Sequence, residues 1–215
     1  MRLSPQYKEA WAYIGGLSEP SKMPWYGYNL PATRCKMGSI LANIPGTTCY
    51  TCYAFRGHYT LPKVQLCLAR RYDALMQDMP RWTASMIVVL AHKAGGKEQW
   101  FRWHDSGDLQ STEHLNAIAI IARALPHIHF WLPTREYVIV SKWYGQCPEN
   151  LTLRLSAHKN NVNWQTDGQA LTSTVFKNQH AGKGRKCPAM SQGHKCLDCR
   201  ACWNKKISNI VYKQH

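Results

Sequence analysis

The sequence predicts an α/β protein built as a partial or open (β/α) barrel, as one domain over residues 1–215. The length of 215 residues suits one domain with a hydrophobic core. In the middle of the chain, strand-like runs alternate with amphipathic helical runs, a rhythm typical of parallel β/α units. Several of these strand-like runs end in polar, titratable residues, as expected where parallel strands carry a site at their carboxyl ends.

The expected helices and strands are inferred from cap residues, helix-breaking residues and strand-like apolar runs. Ser4 is the expected N-cap of a first helix, with Pro5 in its first turn and Gly15-Gly16 at its end. Residues 17–48, rich in Pro, Gly and Ser, are expected to be irregular. Further helices are expected over 62–76, 80–95, 111–125 and 137–144, and strands over 100–104, 128–132, 151–156 and 171–176.

Composition limits the classes of protein. No apolar run reaches the roughly 18–20 residues of a membrane span, and the first residues lack the apolar core of a signal peptide. We therefore expect a cytoplasmic protein without membrane attachment. The formal charge of +15 favours polyanionic partners such as nucleic acid or anionic cofactors, or else a solvated basic surface.

Nine cysteines are many for a cytoplasmic chain, and they are clustered. A secreted disulfide scaffold would be smaller and even-numbered in cysteine, so clustered thiols indicate metal binding here. Two cysteines stand apart from the clusters. Cys67 falls on the apolar face of a predicted helix and is expected in the core, and Cys147 is expected to be structural or to supply a missing fourth ligand.

The strongest motif is Cys187-x8-Cys196-x2-Cys199-x2-Cys202, in a segment over residues 187–202. Consecutive C-x2-C steps let three sulfurs converge on one small object while a fourth comes from further away, which is how four thiolates hold a [4Fe–4S] cube. Zinc also takes four cysteines, usually from two separate C-x2-C pairs. The motif therefore predicts an iron–sulfur cluster, with zinc as the alternative.

A second group is Cys35-x13-Cys49-x2-Cys52. Three cysteines are enough to hold a cube and leave one iron open for a ligand or substrate. Zinc would need a fourth partner such as His58, and Cys35 lies far enough from the pair in sequence that simple burial is another interpretation. The group is a candidate for a second cluster, with zinc binding and simple burial as the alternatives.

Polar residues at four successive strand ends form a candidate substrate or cofactor face. Each is open to the simpler interpretation of a capping or surface group, but their recurrence favours a shared site. They are His104, Asp105 and Asp108, then Thr134 and Arg135, then His158, then Asn178 and His180.

Four stretches, CYTCYAFRGHY, FRWHDSGDLQS, CPENLTLRLSAH and CPAMSQGHKCLDCRACW with the final ISNIVYKQH, resemble the gene product 88 family of bacteriophage proteins. The likeness runs from about residue 30 to the end of the chain. It implies a phage-encoded iron–sulfur protein on a partial barrel, made in the cytoplasm of a bacterial host.

The chain also distantly resembles radical S-adenosylmethionine enzymes, which combine a partial β/α barrel with a three-cysteine loop near the start. The resemblance implies that Cys35, Cys49 and Cys52 hold a cube whose open iron binds the cofactor. It places the turn from His104 to Asp108, which contains Gly107, near the methionine end of that cofactor. The usual spacing of that family is C-x3-C-x2-C, whereas the first gap here is thirteen residues.

Three functions follow. The leading hypothesis is a redox or electron-transfer protein with one cluster on the C-terminal four cysteines and an unidentified redox partner. The second is a radical enzyme, in which the N-terminal cysteines hold the catalytic cluster and the strand-end residues position substrate. The third is a metal-stabilised nucleic-acid-binding protein, based on the net charge and on aromatic residues among basic ones, such as Lys142-Trp143-Tyr144.

Overall fold

A computed structural model describes residues 3–164, 166, 168 and 170–214 of the chain. Its α-helices are α1 (Pro5–Tyr13), α2 (Lys36–Leu41), α3 (Pro62–Gln77), α4 (Met79–Ala94), α5 (Thr112–Ala124) and α6 (Tyr137–Ser141). Its strands are β1 (Gly27–Tyr28), β2 (Gln99–Trp103), β3 (Ile128–Thr134), β4 (Leu151–Ser156), β5 (Leu171–Phe176), β6 (Arg185–Lys186) and β7 (Asn209–Lys213).

The strands form one open, parallel sheet in the order β1-β2-β3-β4-β5-β7-β6. Every neighbouring pair is parallel, from β1 beside β2 to β6 beside β7. The two-residue strands β1 and β6 form its edges, and the described residues show no pairing between them. All strands therefore end at the same edge, which confirms the predicted open α/β architecture.

One face of the sheet packs against helices. Alternate residues of β2 and β3, such as Phe101, Trp103 and Phe130, are fully buried there against α4 and α5, as the two-residue period of a strand requires. Trp82 of α4 is also fully buried in this core. In the described part of the chain, no helix is long and apolar enough to cross a membrane.

The opposite face is covered by the C-terminal cysteine segment. Trp131 of β3 packs there with Cys202, Trp203 and Ile210 in a second, smaller cluster. Trp203 donates its indole N–H to the carbonyl of Phe101 over 2.9 Å, which ties the segment to β2. The cysteine segment is therefore part of the fold rather than a free tail.

The structure corrects part of the predicted element order. Residues 17–48 were expected to be irregular but contain β1 and α2. Both elements are too short to show a recognisable hydrophobic periodicity in the sequence. For the same reason β6 was missed, and α6 ends at Ser141, before the predicted end at Tyr144. The strand β7 was also missed.

Candidate functional site

Cys35, Cys49 and Cys52 lie together at the carboxyl edge of the sheet, in the loop that follows β1. The gap of thirteen residues between the first two contains α2, which begins directly after Cys35. After this helix Thr47 donates its hydroxyl to the carbonyl of Leu41 over 2.7 Å, which turns the chain back. A long spacing in sequence thus becomes a short one in space.

Gly38 of α2 shows how close two of these sulfurs are. A Cβ at this position would lie 3.4 Å from Cys35 Sγ and 3.8 Å from Cys49 Sγ, and 2.8 Å from Cys35 Cβ. The contact with Cys35 Cβ is closer than a real Cβ atom makes, whereas the two contacts with sulfur are ordinary van der Waals distances. The absence of a side chain at Gly38 therefore leaves space beside both sulfurs.

The thiols of Cys35 and Cys49 are largely buried and lie near charged groups. Burial raises the pKa of Cys35, and the charges of Asp108, Cys49 and Cys52 raise it further. Burial also raises the pKa of Cys49, while Arg135 lowers it. Because the pKa values of Cys35 and Cys49 are raised, a bound cation or cationic cluster would be needed to hold these two thiols as thiolates.

Glu136, which the sequence interpretation missed, positions Cys35. Its buried carboxylate accepts hydrogen bonds from the backbone N–H groups of Lys36 (3.1 Å) and Met37 (2.8 Å), the first residues of α2. A carboxylate is favourable at a helix N-terminus, where N–H groups lack helical partners. The end of β3 thereby fixes the start of α2 and the cysteine before it.

Asp105, a predicted site residue, lies at the end of β2 in a network with three other side chains. It forms an ion pair with Arg102 over 2.8 Å and accepts hydrogen bonds from the hydroxyls of Tyr53 and Tyr59. Burial raises the pKa of Asp105, but Arg102 and the two hydroxyls outweigh it and hold the pKa below its ordinary value. Asp105 is therefore an anion beside the loop of Cys52.

The turn from His104 to Asp108 is compact and partly strained. His104 has a left-handed backbone with φ of 53° and is buried, and burial holds its pKa well below the ordinary value. Gly107 has φ of 80°, and a Cβ there would lie 2.6 Å from Leu30 Cβ. The glycine thus lets this turn pack against the chain that leads to Cys35. A contact with a cofactor stays a prediction.

Asp108 is buried in this turn and bound by hydrogen bonds. Its carboxylate accepts from the Thr134 hydroxyl (2.6 Å) and from the N–H groups of Leu109 (2.7 Å) and Arg135 (2.9 Å). Burial nevertheless raises its pKa. Asp108 joins the ends of β2 and β3 and places a carboxyl near Cys35.

The remaining strand-end residues are divided between two regions. His158 contacts the Arg135 carbonyl through Nε2 over 3.2 Å and lies beside the three-cysteine loop. His180 lies in a short 3-10 helix (Gln179–Ala181), with its N–H bonded to Asn178. The side chain of Gln179 donates to the Cys187 carbonyl over 2.8 Å, so this turn supports the C-terminal cysteines instead.

The C-terminal cysteine segment is held by backbone hydrogen bonds. The N–H of Cys187 donates to Val211 of β7 over 2.9 Å. The N–H of Cys196 donates to the carbonyl of Lys22, also over 2.9 Å, and its sulfur lies 3.9 Å from the sulfur of Met23. Cys187 and Cys196 are thus fixed by strands and loops distant in sequence.

The four C-terminal thiols share one electrostatic environment. Burial raises the pKa of Cys202 to about 12, and the charges of Cys187 and Cys196 add to the rise. Its sulfur lies 3.0 Å from the hydroxyl oxygen of Tyr212. Burial and the charge of Cys199 likewise raise the pKa of Cys187, although a backbone hydrogen bond to Ala189 lowers it. The predicted ligands are therefore neighbours in the fold.

Arg154, which no sequence motif indicated, holds this segment by hydrogen bonds to its backbone. It is fully buried in β4, and burial lowers its pKa. Its guanidinium donates to five backbone carbonyls, those of Thr172, Ala201, Cys202, Asn204 and Ile207. Among the described residues no carboxylate pairs with it, so a buried positive charge lies under the C-terminal cysteines.

Buried donors near the cysteines fit an anionic group. Within the part of the chain that the structure describes, the buried N–H groups at Arg102 Nε, Trp131 Nε1 and Arg200 Nε have no hydrogen-bond acceptor. All three belong to residues around the C-terminal segment. Arg135 Nε, near Cys49, is likewise a buried donor without a hydrogen-bond acceptor. The sulfurs of a cluster bound by thiolates accept such hydrogen bonds.

A zinc ion and a [4Fe–4S] cube require different spacings of their sulfur ligands. In the described ranges, no three His, Cys, Asp or Glu side chains are arranged closely enough to hold one metal ion. A tetrahedral zinc ion needs all its sulfurs about 2.3 Å away. A cube spreads its thiolates over separate iron corners, so it accepts more widely spaced sulfurs.

Fold and site together define an open parallel α/β protein with two groups of converging cysteines. The sequence model of the gene product 88 family matches residues 5–207 of the chain. The chain belongs to the gene product 88 family, as its sequence motifs predicted. No match was found among the curated proteins or among the solved structures.

Proposed function

We propose that this protein is an iron–sulfur enzyme of the radical S-adenosylmethionine type. Cys35, Cys49 and Cys52 would hold the catalytic [4Fe–4S] cluster, and the C-terminal four cysteines an auxiliary one. The observation that carries the proposal is geometric. The sulfurs of Cys35 and Cys49 both lie within 4 Å of the Gly38 Cβ position, and the Cys52 N–H donates to the Cys49 carbonyl over 3.1 Å, in the loop after β1 at the edge where every parallel strand ends. Three thiolates leave one iron of a cube open.

The residues around the three cysteines have distinct roles in this proposal. Glu136 holds the start of α2 and thus the position of Cys35. Arg135 lies close enough to lower the pKa of Cys49 and would stabilise its thiolate. Asp105 and His104 present an anion and a neutral imidazole at the end of the neighbouring strand. When bound, the cluster supplies one electron for homolytic cleavage of the sulfonium cofactor.

The auxiliary site rests on charge balance. A [4Fe–4S] cube with four thiolates is a net anion, and Arg154 places a buried cation with no described carboxylate partner beneath the segment. Arg102 adds a second cation, whose charge lowers the pKa of Cys196 against the effect of burial. Arg102 is already paired with Asp105, so the charge that an anionic cluster would balance is that of Arg154.

The test is spectroscopic and uses the whole chain purified without oxygen. We expect about eight iron and eight labile sulfide per chain, and an electron spin resonance spectrum that changes when S-adenosylmethionine is added. Cys52→Ser should abolish that change, whereas the control Cys147→Ser should retain it. An unchanged spectrum in the wild-type protein, with full iron content, would argue against the enzyme.

A redox or electron-transfer protein is the second candidate, and one observation favours it. Cys199 and Arg200 line a groove of about 1100 Å³ together with Trp100 and Lys205. A cluster bound there would lie next to an open surface on which a redox partner could dock. Full iron on the C-terminal cysteines alone, insensitive to S-adenosylmethionine, would select this candidate.

A further inference from the structure

Three aromatic rings form a parallel stack beside the three-cysteine loop. Tyr137 stacks on His158 with ring centroids 4.2 Å apart and planes 9° apart. It also stacks on Trp164, at 5.2 Å and 13°. Stacked rings in this geometry present flat surfaces of the kind that bind a further planar ring.

A cavity opens at this stack. It has a volume of about 230 Å³ and is lined by Tyr137, Ala157, His158, Lys159, Val162 and Trp164. Ligand pockets for whole drug-sized molecules are roughly 300–1,000 Å³. The cavity is therefore sized for one planar ring system, with the rest of a larger ligand outside it.

The stack adjoins the candidate catalytic cysteines. The backbone N–H of Thr48, the residue before Cys49, donates to the carbonyl of His158 over 3.0 Å. The ring of His158 contacts the carbonyl of Arg135 over 3.2 Å, and the charge of Arg135 acts on Cys49. A ring bound in the cavity would thus lie next to the three-cysteine site.

The charges near the cavity favour an anionic ligand. Lys159 lines the cavity and is exposed, and Arg135 Nε is a buried donor without an acceptor. The nearby carboxylates of Asp108 and Glu136 are buried and accept hydrogen bonds from the backbone. A planar ring linked to a phosphate matches this combination of stacking and positive charge.

We propose that the stack of His158, Tyr137 and Trp164 binds a nucleobase of a single-stranded nucleic acid and presents that strand to the three-cysteine site. The inference rests on the proposed function, because it names the substrate class of that site. The formal charge of +15 matches a polyanionic strand. Stacking on aromatic rings is tolerant of base identity, so we expect little sequence preference.

The test compares two labelled strands of about ten nucleotides, an oligodeoxyadenylate and an abasic strand of equal charge, by fluorescence anisotropy. The wild-type chain should bind the oligodeoxyadenylate more tightly. Trp164→Ala should weaken that binding about tenfold and leave the abasic strand unaffected. Trp164→Phe should retain most of the affinity, which separates stacking from misfolding. Leu66→Ala is the control, since Leu66 is a large apolar residue on α3, 61% exposed and outside the cavity.

Equal binding of the two strands by the wild-type chain would overturn the inference, as would an equal loss in Leu66→Ala. Displacement of the strand by excess S-adenosylmethionine would also overturn it, because the cavity would then hold the adenine of the cofactor. Iron and labile sulfide are measured on every sample. If the chain binds the strand in a base-dependent way but contains neither iron nor labile sulfide, the proposed enzyme alone is refuted. If it contains iron and labile sulfide but shows no base-dependent binding, this inference alone is refuted.

Discussion

Arg102 and Asp105 form an ion pair of 2.8 Å that connects the surroundings of the two cysteine groups. Asp105 accepts a hydrogen bond from Tyr53, which follows Cys52. Arg102 lies over the ring of Trp131 at 4.7 Å, and its charge reaches Cys196. One end of β2 thus links a site at the sheet edge to the segment on the sheet face.

The ion pair predicts an acid-sensitive contribution to stability. The pKa of Asp105 in the folded chain is below its ordinary value of 3.8, so the unfolded chain binds the proton more readily. The stabilisation is therefore complete above the ordinary pKa and is lost as pH falls through the folded pKa. We expect Asp105→Asn to flatten the decline of the urea unfolding midpoint between about pH 6 and about pH 3.

The control for this pH series is Asp73→Asn, which changes an exposed carboxylate on α3. Its midpoint should follow the wild-type curve throughout. If the Asp105→Asn and wild-type curves run parallel, the ion pair does not contribute as the structure indicates.

Arg154 predicts a large effect on stability from one buried side chain. Arg154→Met removes a guanidinium that donates to five carbonyls and leaves these acceptors buried. We expect a loss of about 3–5 kcal/mol in the free energy of unfolding, measured with urea. The iron bound by the C-terminal cysteines should fall as well.

Arg123→Met is the matched control, because Arg123 donates to the single carbonyl of Gln146 at the surface. A loss of at most about 1 kcal/mol is expected there. Equal effects of the two substitutions would contradict the role assigned to Arg154.

Gly38 predicts a selective effect on the three-cysteine site. Gly38→Ala should favour the helix by about 1 kcal/mol through propensity alone. The added Cβ would however meet Cys35 Cβ at 2.8 Å, so Cys35 would have to shift, and it would fill the space in contact with two sulfurs. We expect iron content to fall by about half, from two cubes to one, with the C-terminal cluster retained.

Ile40→Ala on the same helix is the control, since Ile40 is 60% exposed. It should keep the wild-type iron content. Full iron in Gly38→Ala would show that the space beside the two sulfurs is not needed for a cluster.

The sequence predicted the elements with strong periodicity and the two cysteine groups. The helix α1 begins after Ser4, as its cap residue indicated, and the strand β4 has the predicted bounds. Such elements carry local signals, namely caps, breakers and the alternation of apolar residues. The proximity of Cys35 to Cys49 was expected only from cysteine chemistry.

Other features depend on contacts between distant residues and leave no local pattern. The helix α2 has six residues, and its start depends on Glu136, one hundred positions from Lys36. Arg154 looks in sequence like an ordinary polar residue in an alternating strand, yet it is fully buried under the cysteine segment. The aromatic stack joins Tyr137 to Trp164 across a strand and two loops. Only the fold reveals these relationships.

The most direct test of two separate clusters is iron and labile sulfide per chain, with spin resonance spectra, in Cys52→Ser and Cys199→Ser. Two independent cubes predict that each variant loses about four iron. Sensitivity to S-adenosylmethionine should survive only in Cys199→Ser. If Cys52→Ser keeps the full wild-type iron content while Cys199→Ser loses all of it, the three-cysteine site holds no cluster and the proposed enzyme is wrong.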